Sequence, residues 1–303
     1  MTYSEYPIVT VITLTYNHFE NIRKTIDSVF LQDYSNIEYI ICDDGSFEFP
    51  NEIIKEYIKK GKKIKLICHE NVGTVKNFNF AIKNSVGKYI IPLSGNDYFS
   101  DKNIVSKIVD KFENTQADIL TARRACISNT GEVMRVLPAM EKVELLKSEK
   151  QKEVFEELCI SSFISGASTY YSRKVLDVYD GFNEVYKLIE DFPFYMQYLL
   201  DGGRIYYLDC ITINYDMNGV TSQKKISELL VKDRKKYYKD LVFPNSKEFS
   251  YIKKKKLLFY YFKACESNNI FMKFMGWILC GDYVLIKLIK KIFKRKEENY
   301  ASS

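Results

Sequence analysis

The sequence predicts an α/β protein, a mostly parallel sheet flanked by helices and followed by a helical C-terminal extension. Three observations carry that expectation. Short β-branched runs alternate with apolar residues at helical spacing through the first third of the chain. Segments rich in Asp, Asn, Ser and Gly stand at the carboxyl ends of those runs. From about residue 223 the chain turns helical and rich in lysine. With 303 residues, 46% of them hydrophobic and 28% charged, the chain can bury a sizeable core, which excludes disorder along its whole length.

Residues 8–15, IVTVITLT, form a β-branched run of the kind a strand buried on both faces requires. Ile22, Ile26, Val29 and Phe30 then recur at helical spacing. A second strand is expected over 37–42, and Ile53, Ile54, Tyr57 and Ile58 mark a second helix. A third strand over 64–68, a helix over 75–82 and a fourth strand over 88–93 complete a βαβαβαβ order, the pattern of a parallel sheet covered by helices. Beyond Asp118 the expectations are a strand over 118–123, a turn at Asn129-Thr130-Gly131 between two extended segments, and a helix over 151–158. An extended segment over 163–171, a helix over 191–200 and one or two strands over 204–214 follow. No internal repeat is visible.

Seven cysteines without a CxxC pair read as thiols of a reducing compartment. Two histidines cannot build a histidine-rich metal site, so any metal must be held by oxygen ligands. A net charge of +6 and an isoelectric point near 8.7 are mild, and no nucleic-acid partner is expected. MTYSEYP lacks the basic and apolar pattern of a secretory signal, and no apolar run is long enough to span a bilayer.

Ligands of parallel sheets bind outside the carboxyl ends of the strands. There the chain reads Tyr16-Asn17, Asp43-Asp44-Gly45-Ser46 and Ser94-Gly95-Asn96-Asp97, groups that suit a nucleotide and a hard divalent cation. DDGS taken alone is explained as well by a turn. Neither GxGxxG nor GxxxxGK[ST] occurs, so no glycine-rich phosphate loop is expected.

These residues carry a resemblance. VTVITLTYNHFENIRKTIDSVFLQDYSNIEYIICDDGS is similar to the opening of the family 2 glycosyltransferases, inverting enzymes of the GT-A fold with a Rossmann-like nucleotide-binding sheet. The similarity continues through NVGTVKNFN, GKYIIPLSGNDYF, SGASTYYSRKVLDVYDGFNE and IEDFPFYMQYLLDGG, over roughly the first 220 residues. It implies a glycosyltransferase domain over 1–222, with a nucleotide-sugar half over 1–117 and an acceptor half over 118–222, ahead of a basic extension over 223–303.

The resemblance implies roles for particular residues. Thr15, Tyr16, Asn17, Asp43 and Asp44 would hold the nucleotide, with Asp44 on the uracil, and Lys76 and Asn79 would assist. The family's DxD segment binds the donor diphosphate through Mn²⁺ or Mg²⁺. Here Ser94 and Asn96 replace its two acids, which leaves Asn96 and Asp97 as the metal candidates. The catalytic base is expected in Glu190-Asp191, with Asp191 taking the acceptor proton. Pro193 can open a helix, so Asp191 or its neighbour also reads as a helix cap. Gly166 is placed on the acceptor or donor-sugar side, His18 reads as a loop histidine, and Phe192, Phe194 and Tyr195 read as core.

Leu285, Leu288, Ile289, Ile292 and Phe293 fall on one helical face and Lys287, Lys290, Lys291 and Lys294 on another, near Phe271 and Trp277. Such a helix fits a membrane interface, or packs its stripe on the domain or a partner. Taken together, the expectation is a cytoplasmic transferase, peripheral on the inner face of a bacterial cell membrane. It would move a sugar from a nucleotide donor to a glycan or lipid-linked saccharide in capsule or O-antigen type synthesis. A catalytically degenerate binding or scaffold subunit of the same fold is the alternative, motivated by the missing DxD acids.

Overall fold

The computed structural model describes residues 6–17, 19–128, 130–217, 227–265, 274–276, 278–281 and 283. The chain divides into two compact units, one of Met1–Phe155 with Phe163–Leu230 and one of Glu156–Ser162 with Val231–Ser303.

The first unit carries strands β1 (Val9–Thr15), β2 (Ile37–Asp43), β3 (Lys65–Cys68), β4 (Tyr89–Ser94), β5 (Tyr98–Phe99), β6 (Ile119–Ile127), β7 (Val133–Leu137), β8 (Thr169–Ser172) and β9 (Ile205–Asp216). Its helices are α1 (Ile22–Phe30), α2 (Asn51–Lys59), α3 (Thr74–Lys83), α4 (Ile104–Thr115), α5 (Met140–Lys147), α7 (Arg173–Val178) and α8 (Asp191–Leu200), while α6 (Gln151–Ile160) runs from the first unit into the second. The strands form one sheet in the order β3-β2-β1-β4-β8-β6-β9-β5, with β7 paired to β6. β1 to β4 are mutually parallel, and β8 lies antiparallel to both β4 and β6. β6 therefore runs in the direction of β4 again, and β9 is parallel to β6. The carboxyl ends of β1, β2, β3, β4, β6 and β9 consequently open on a single edge.

Strand alternation sorts the core. Val9 and Val11 of β1, with Tyr39 and Ile41 of β2 and Ile91 and Leu93 of β4, pack with the buried stripes of α1, α2 and α4. Ile26, Ile41, Ile91 and Ile108 are each 0% exposed, and burying such a side chain contributes roughly 1.5–3 kcal/mol. The opposite face of β1 and β2 receives α3 through Val75, Phe78, Ala81 and Ile82. Threonines inside β1 stay satisfied: Thr10 donates to Glu38 Oε2 at 2.6 Å, and Thr13 pairs with the Tyr39 hydroxyl at 3.0 Å.

One sequence expectation changes, one resolves to a single strand, and one element is new. The segment over 163–171 is not extended throughout, since Ser168 N–H and the Thr169 hydroxyl both turn back to the Ser165 carbonyl and a 3₁₀ turn, Gly166–Ser168, precedes β8. Small residues permit that tight turn. The region 204–214 is one strand, extended to Asp216 by pairing with β6. α4 lies where no element was expected, although Ile104, Val105, Ile108, Val109 and Phe112 have helical spacing. Phe192, Phe194 and Tyr195 are core, at 4%, 5% and 0% exposure.

The second unit contains α9 (Glu228–Tyr237), which starts at its border, then a π-helical segment (Tyr238–Val242), α10 (Phe243–Asn245) and α11 (Tyr251–Cys265). Tyr238, Phe243 and Tyr261 pack as a ring cluster. In the lysine run 253–256, Lys253 pairs with Glu156, Lys256 with Glu157, and Lys255 donates to the Leu279 carbonyl. Most of that run is therefore engaged within its own unit. The basic amphipathic segment 285–294, with Phe271, Trp277 and His18, lies outside the described residues. No described helix is long and apolar enough to cross a membrane.

Candidate functional site

The ends of β1 and β2 are clipped together by the short polar side chains that follow them. Asp43, 2% exposed, accepts from the Thr15 hydroxyl at 2.8 Å, the Ser46 hydroxyl at 2.6 Å and Ser46 N–H at 2.8 Å. Asn17, in the left-handed region at φ 49°, donates its N–H to Ser46 Oγ at 2.8 Å and accepts from Phe47 N–H at 2.9 Å. Asp44 accepts from Val72 N–H at 2.8 Å and Gly73 N–H at 3.0 Å, holding the loop that opens α3. Gly45 has φ +77°, and a Cβ there would stand 2.7 Å from Asn71 N. Only glycine lets these two loops approach. Between them lies a cleft of about 620 Å³ lined in part by Asp43, Ser46, Phe49, Asn51, His69 and Asn71.

Of the residues named from the sequence, Asp43 lines this cleft, Thr15 and Asn17 are bonded to its Asp43 and Ser46, and Asp44 holds the 72–73 loop next to its Asn71, with Tyr16 46% exposed beside them. Lys76 is exposed, its Nζ 4.0 Å from Glu184. Asn79 does not join the group. Its amide is turned inward, with Nδ2 donating to the Phe182 carbonyl at 2.7 Å and Oδ1 accepting from Phe182 N–H at 2.8 Å, so it ties α3 to the 182–184 loop. His69, which the sequence reading passed over, places Nδ1 3.8 Å from Asp44 Oδ1 and Nε2 3.0 Å from Asn77 Oδ1. Its position directly after β3 is the signal that was available.

At the end of β4 the metal candidates face inward. Asn96, 3% exposed, accepts from Asn21 N–H at 3.1 Å and donates to Glu20 Oε2 at 3.1 Å. Asp97, 2% exposed, accepts from Asp216 N–H at 2.9 Å on Oδ1, while Oδ2 is buried with no hydrogen-bond partner among the described residues. Burial, with a smaller contribution from the Asp216 charge, pushes the Asp97 carboxyl up to about 7, against the opposing pull of the Asp216 N–H and Arg124. Among the described residues no group of three or more His, Cys, Asp or Glu side chains could hold a metal ion. A Mg²⁺ or Mn²⁺ site offers one or two carboxylates with room for water or phosphate oxygens around the ion. Here Asn96 Oδ1 and Asp97 Oδ1 are already engaged by backbone N–H groups and Asp97 Oδ2 is enclosed, so as placed these two residues do not fit a resident Mn²⁺ or Mg²⁺ and instead fasten the β4 end to α1 and β9.

The acid pair sits at the start of α8. Asp191 Oδ1 accepts from Phe192 N–H at 2.7 Å and Oδ2 from Gly166 N–H at 3.0 Å. Glu190, at the N-cap position, makes no capping hydrogen bond. Burial and then the Asp191 charge push Glu190 up to about 8. Burial also raises Asp191, but the Phe192 and Gly166 N–H groups and Arg124 favour its charged form. The two carboxyls titrate as a pair, and the N–H donors on Asp191, which Glu190 lacks at its N-cap position, favour the charged form at Asp191. Gly166 is placed against this carboxylate, and a Cβ on it would lie 2.9 Å from Asp191 Oδ2.

Arg124 of β6 was also missed, although two consecutive arginines inside an otherwise apolar strand, ILTARRACI, are a signal in themselves. Its guanidinium lies 4.1 Å from the Tyr215 ring centroid and donates through Nη1 to Ser165 Oγ, next to Gly166.

A sheet covered on both faces, with a polar cleft and an acid pair along its carboxyl edge, defines an α/β protein of the GT-A type. Residues 10–180 match the family described as Glycosyl transferase family 2, and the chain belongs to that family. It is 29% identical over 213 residues to the uncharacterized glycosyltransferase EpsJ of Bacillus subtilis, a match covering 67% of this chain and 59% of EpsJ. The fold is similar to that of S. aureus TarS 1–349 solved with UDP-GlcNAc, at TM-score 0.60 and 19% identity over 91% of this chain and 80% of that one. It is also similar to the mannosyltransferase PcManGT of Pyrobaculum calidifontis solved with GDP-Man and Mn²⁺, at TM-score 0.62 and 14% identity over 96% and 81%. The chain thus spans about three fifths of the length of EpsJ.

Proposed function

We propose that this protein is an inverting glycosyltransferase that moves a hexosyl group from a nucleotide sugar, with UDP as the nucleotide, to an acceptor hydroxyl. The observation that carries the reading is the Asp191 carboxylate, fixed at the carboxyl edge of the sheet by the Phe192 and Gly166 N–H donors. Each Asp191 oxygen keeps a second lone pair for the acceptor O–H. That O–H gives its proton to Asp191 while its oxygen attacks the anomeric carbon. The anomeric C–O bond to the diphosphate breaks on the opposite face, and the diphosphate leaves with the bonding electrons. Thr15, Tyr16, Asn17, Asp43 and Asp44 are the nucleotide residues of this reading, and the 620 Å³ cleft beside them supports it. Gly166 positions the base and belongs to the acceptor side.

The acceptor of this reading is a growing or lipid-linked bacterial surface glycan at the cytoplasmic face of the membrane. The basic amphipathic pattern of 285–294 supports that location. The test is calorimetric titration of UDP and GDP, followed by transfer from the matching nucleotide sugars to membrane extracts. Binding of one nucleotide with transfer abolished in Asp191→Asn supports the reading. Transfer to soluble sugars alone would remove the membrane acceptor, and nucleotide binding without any transfer would favour the scaffold alternative, which the absent DxD acids motivate.

A further inference from the structure

Arg124 is half-buried and has no carboxylate within ion-pair distance among the described residues. Nη1 is bonded to Ser165 Oγ, and Nε is buried without a partner among the described residues. Nη2 has no protein partner among the described residues and is not buried. The contrast with Arg173 is informative, since all three of that residue's nitrogens are satisfied by Gly87 O, Ile82 O and Ser85 Oγ. A guanidinium held in place by ring stacking, with its outer nitrogen open, is built to receive an anion.

The sheet register says where that anion would lie. Ile90, Tyr171 and Ile119 stand on one line across β4, β8 and β6. Four residues onward are Ser94 in β4 and Arg123 in β6, so Arg124 stands level with Gly95 at the β4 end. The separation is two strand spacings, about 10 Å. β8 starts only at Thr169, so the Ser165-Gly166 turn occupies the gap, and its Gly166 N–H holds Asp191. Through Ser165, Arg124 is joined to the turn whose next residue, Gly166, holds Asp191. It therefore stands level with the β4 end, where the family's metal segment lacks its two acids, and beside the turn that holds the proposed base.

We infer that Arg124 supplies the cation that binds the donor diphosphate in this chain, through Nη2 at the carboxyl edge of β6, in place of a cation held by the β4 end. The inference rests on the nucleotide-sugar reading above. A planar guanidinium matches two phosphate oxygens and neutralises charge on the departing diphosphate as the sugar bond breaks. Its contact through Ser165 keeps the anion in register with the Asp191 turn.

The test is titration of the full chain with UDP, GDP and uridine, in EDTA and in Mn²⁺, for wild type, Arg124→Lys and Arg124→Gln, with thermal melting as a folding control. The inference expects nucleoside diphosphate to bind in EDTA within about twofold of its affinity in Mn²⁺. Arg124→Gln should weaken it by about tenfold or more, the scale of one charge-assisted hydrogen bond. Arg124→Lys should fall between, uridine binding should be unchanged, and all three proteins should melt alike. Diphosphate affinity equal in wild type and Arg124→Gln would overturn the inference while leaving the donor reading intact. So would tightening of tenfold or more by Mn²⁺. A variant that weakens uridine and UDP equally would mean that Arg124 only supports the fold, which also overturns it. If neither nucleotide binds wild type under any condition, the donor reading falls and takes the inference with it.

Discussion

Replacing Asp97 by Asn tests the packing of the β4 end without any knowledge of the substrate. Asp97 Oδ1 accepts from Asp216 N–H at 2.9 Å, and an Asn carbonyl can take over that bond. What changes is the ionisable group. Its pKa rises from 3.8 to about 7 on folding, so the folded chain binds more protons than the unfolded chain between those values. Stability therefore falls with rising pH across that window. At 1.36 kcal/mol per pKa unit the full loss is about 4 kcal/mol, of which about 3 develops between roughly pH 4.5 and 8.5. Urea unfolding of both proteins across that range measures the difference directly. Asp97→Asn should gain on wild type by about 3 kcal/mol as the pH rises, whatever constant offset the lost attraction to Arg124 introduces. A difference that stays flat, or that shrinks with pH, would refute the claim that a buried, half-satisfied carboxyl sits here.

Asp191→Asn should lower transfer by roughly 10²–10⁴-fold while leaving nucleotide affinity unchanged, as measured by turnover beside calorimetry. In Gly166→Ala the new Cβ, 2.9 Å from Asp191 Oδ2, displaces the carboxylate from the Gly166 N–H. The turnover number should drop about tenfold or more with nucleotide binding intact, and unchanged turnover would count against Asp191 as base. Asp44→Ala frees the Val72 and Gly73 N–H groups and should cost about 2–4 kcal/mol of stability, together with most nucleotide affinity. Retained affinity would show that the α3 loop does not depend on Asp44.

Local chemistry made much of the first unit legible. β1, β2 and β4 are β-branched runs buried on both faces, and such strands announce themselves by composition. α8 begins at Asp191 as expected, because Pro193 and the apolar run behind it favour a helix start there. α4 was equally legible in its Ile104, Val105, Ile108, Val109 and Phe112 spacing and was passed over. At the site, Asp43 and Asp44 could be placed beside Thr15 because they end adjacent parallel strands.

The sequence by itself determined the βαβαβαβ order of the first third, the polar strand ends, the absence of a glycine-rich phosphate loop and the acid pair at residues 190–191. Only the tertiary structure decided which of those polar groups stand at the cleft and which are turned onto protein. Asn79 and Asn96 carry the same amide as any binding residue, yet each is turned onto backbone groups far away in sequence, at Phe182 and Asn21. The insertion of β8 between β4 and β6 likewise has no local signal, since strand pairing depends on partners about 50 to 80 residues distant. That insertion brings the Ser165-Gly166 turn against Asp191 and sets Arg124 level with the end of β4. A side chain's type is written in one residue, but its direction and its neighbours follow from the register of the whole sheet.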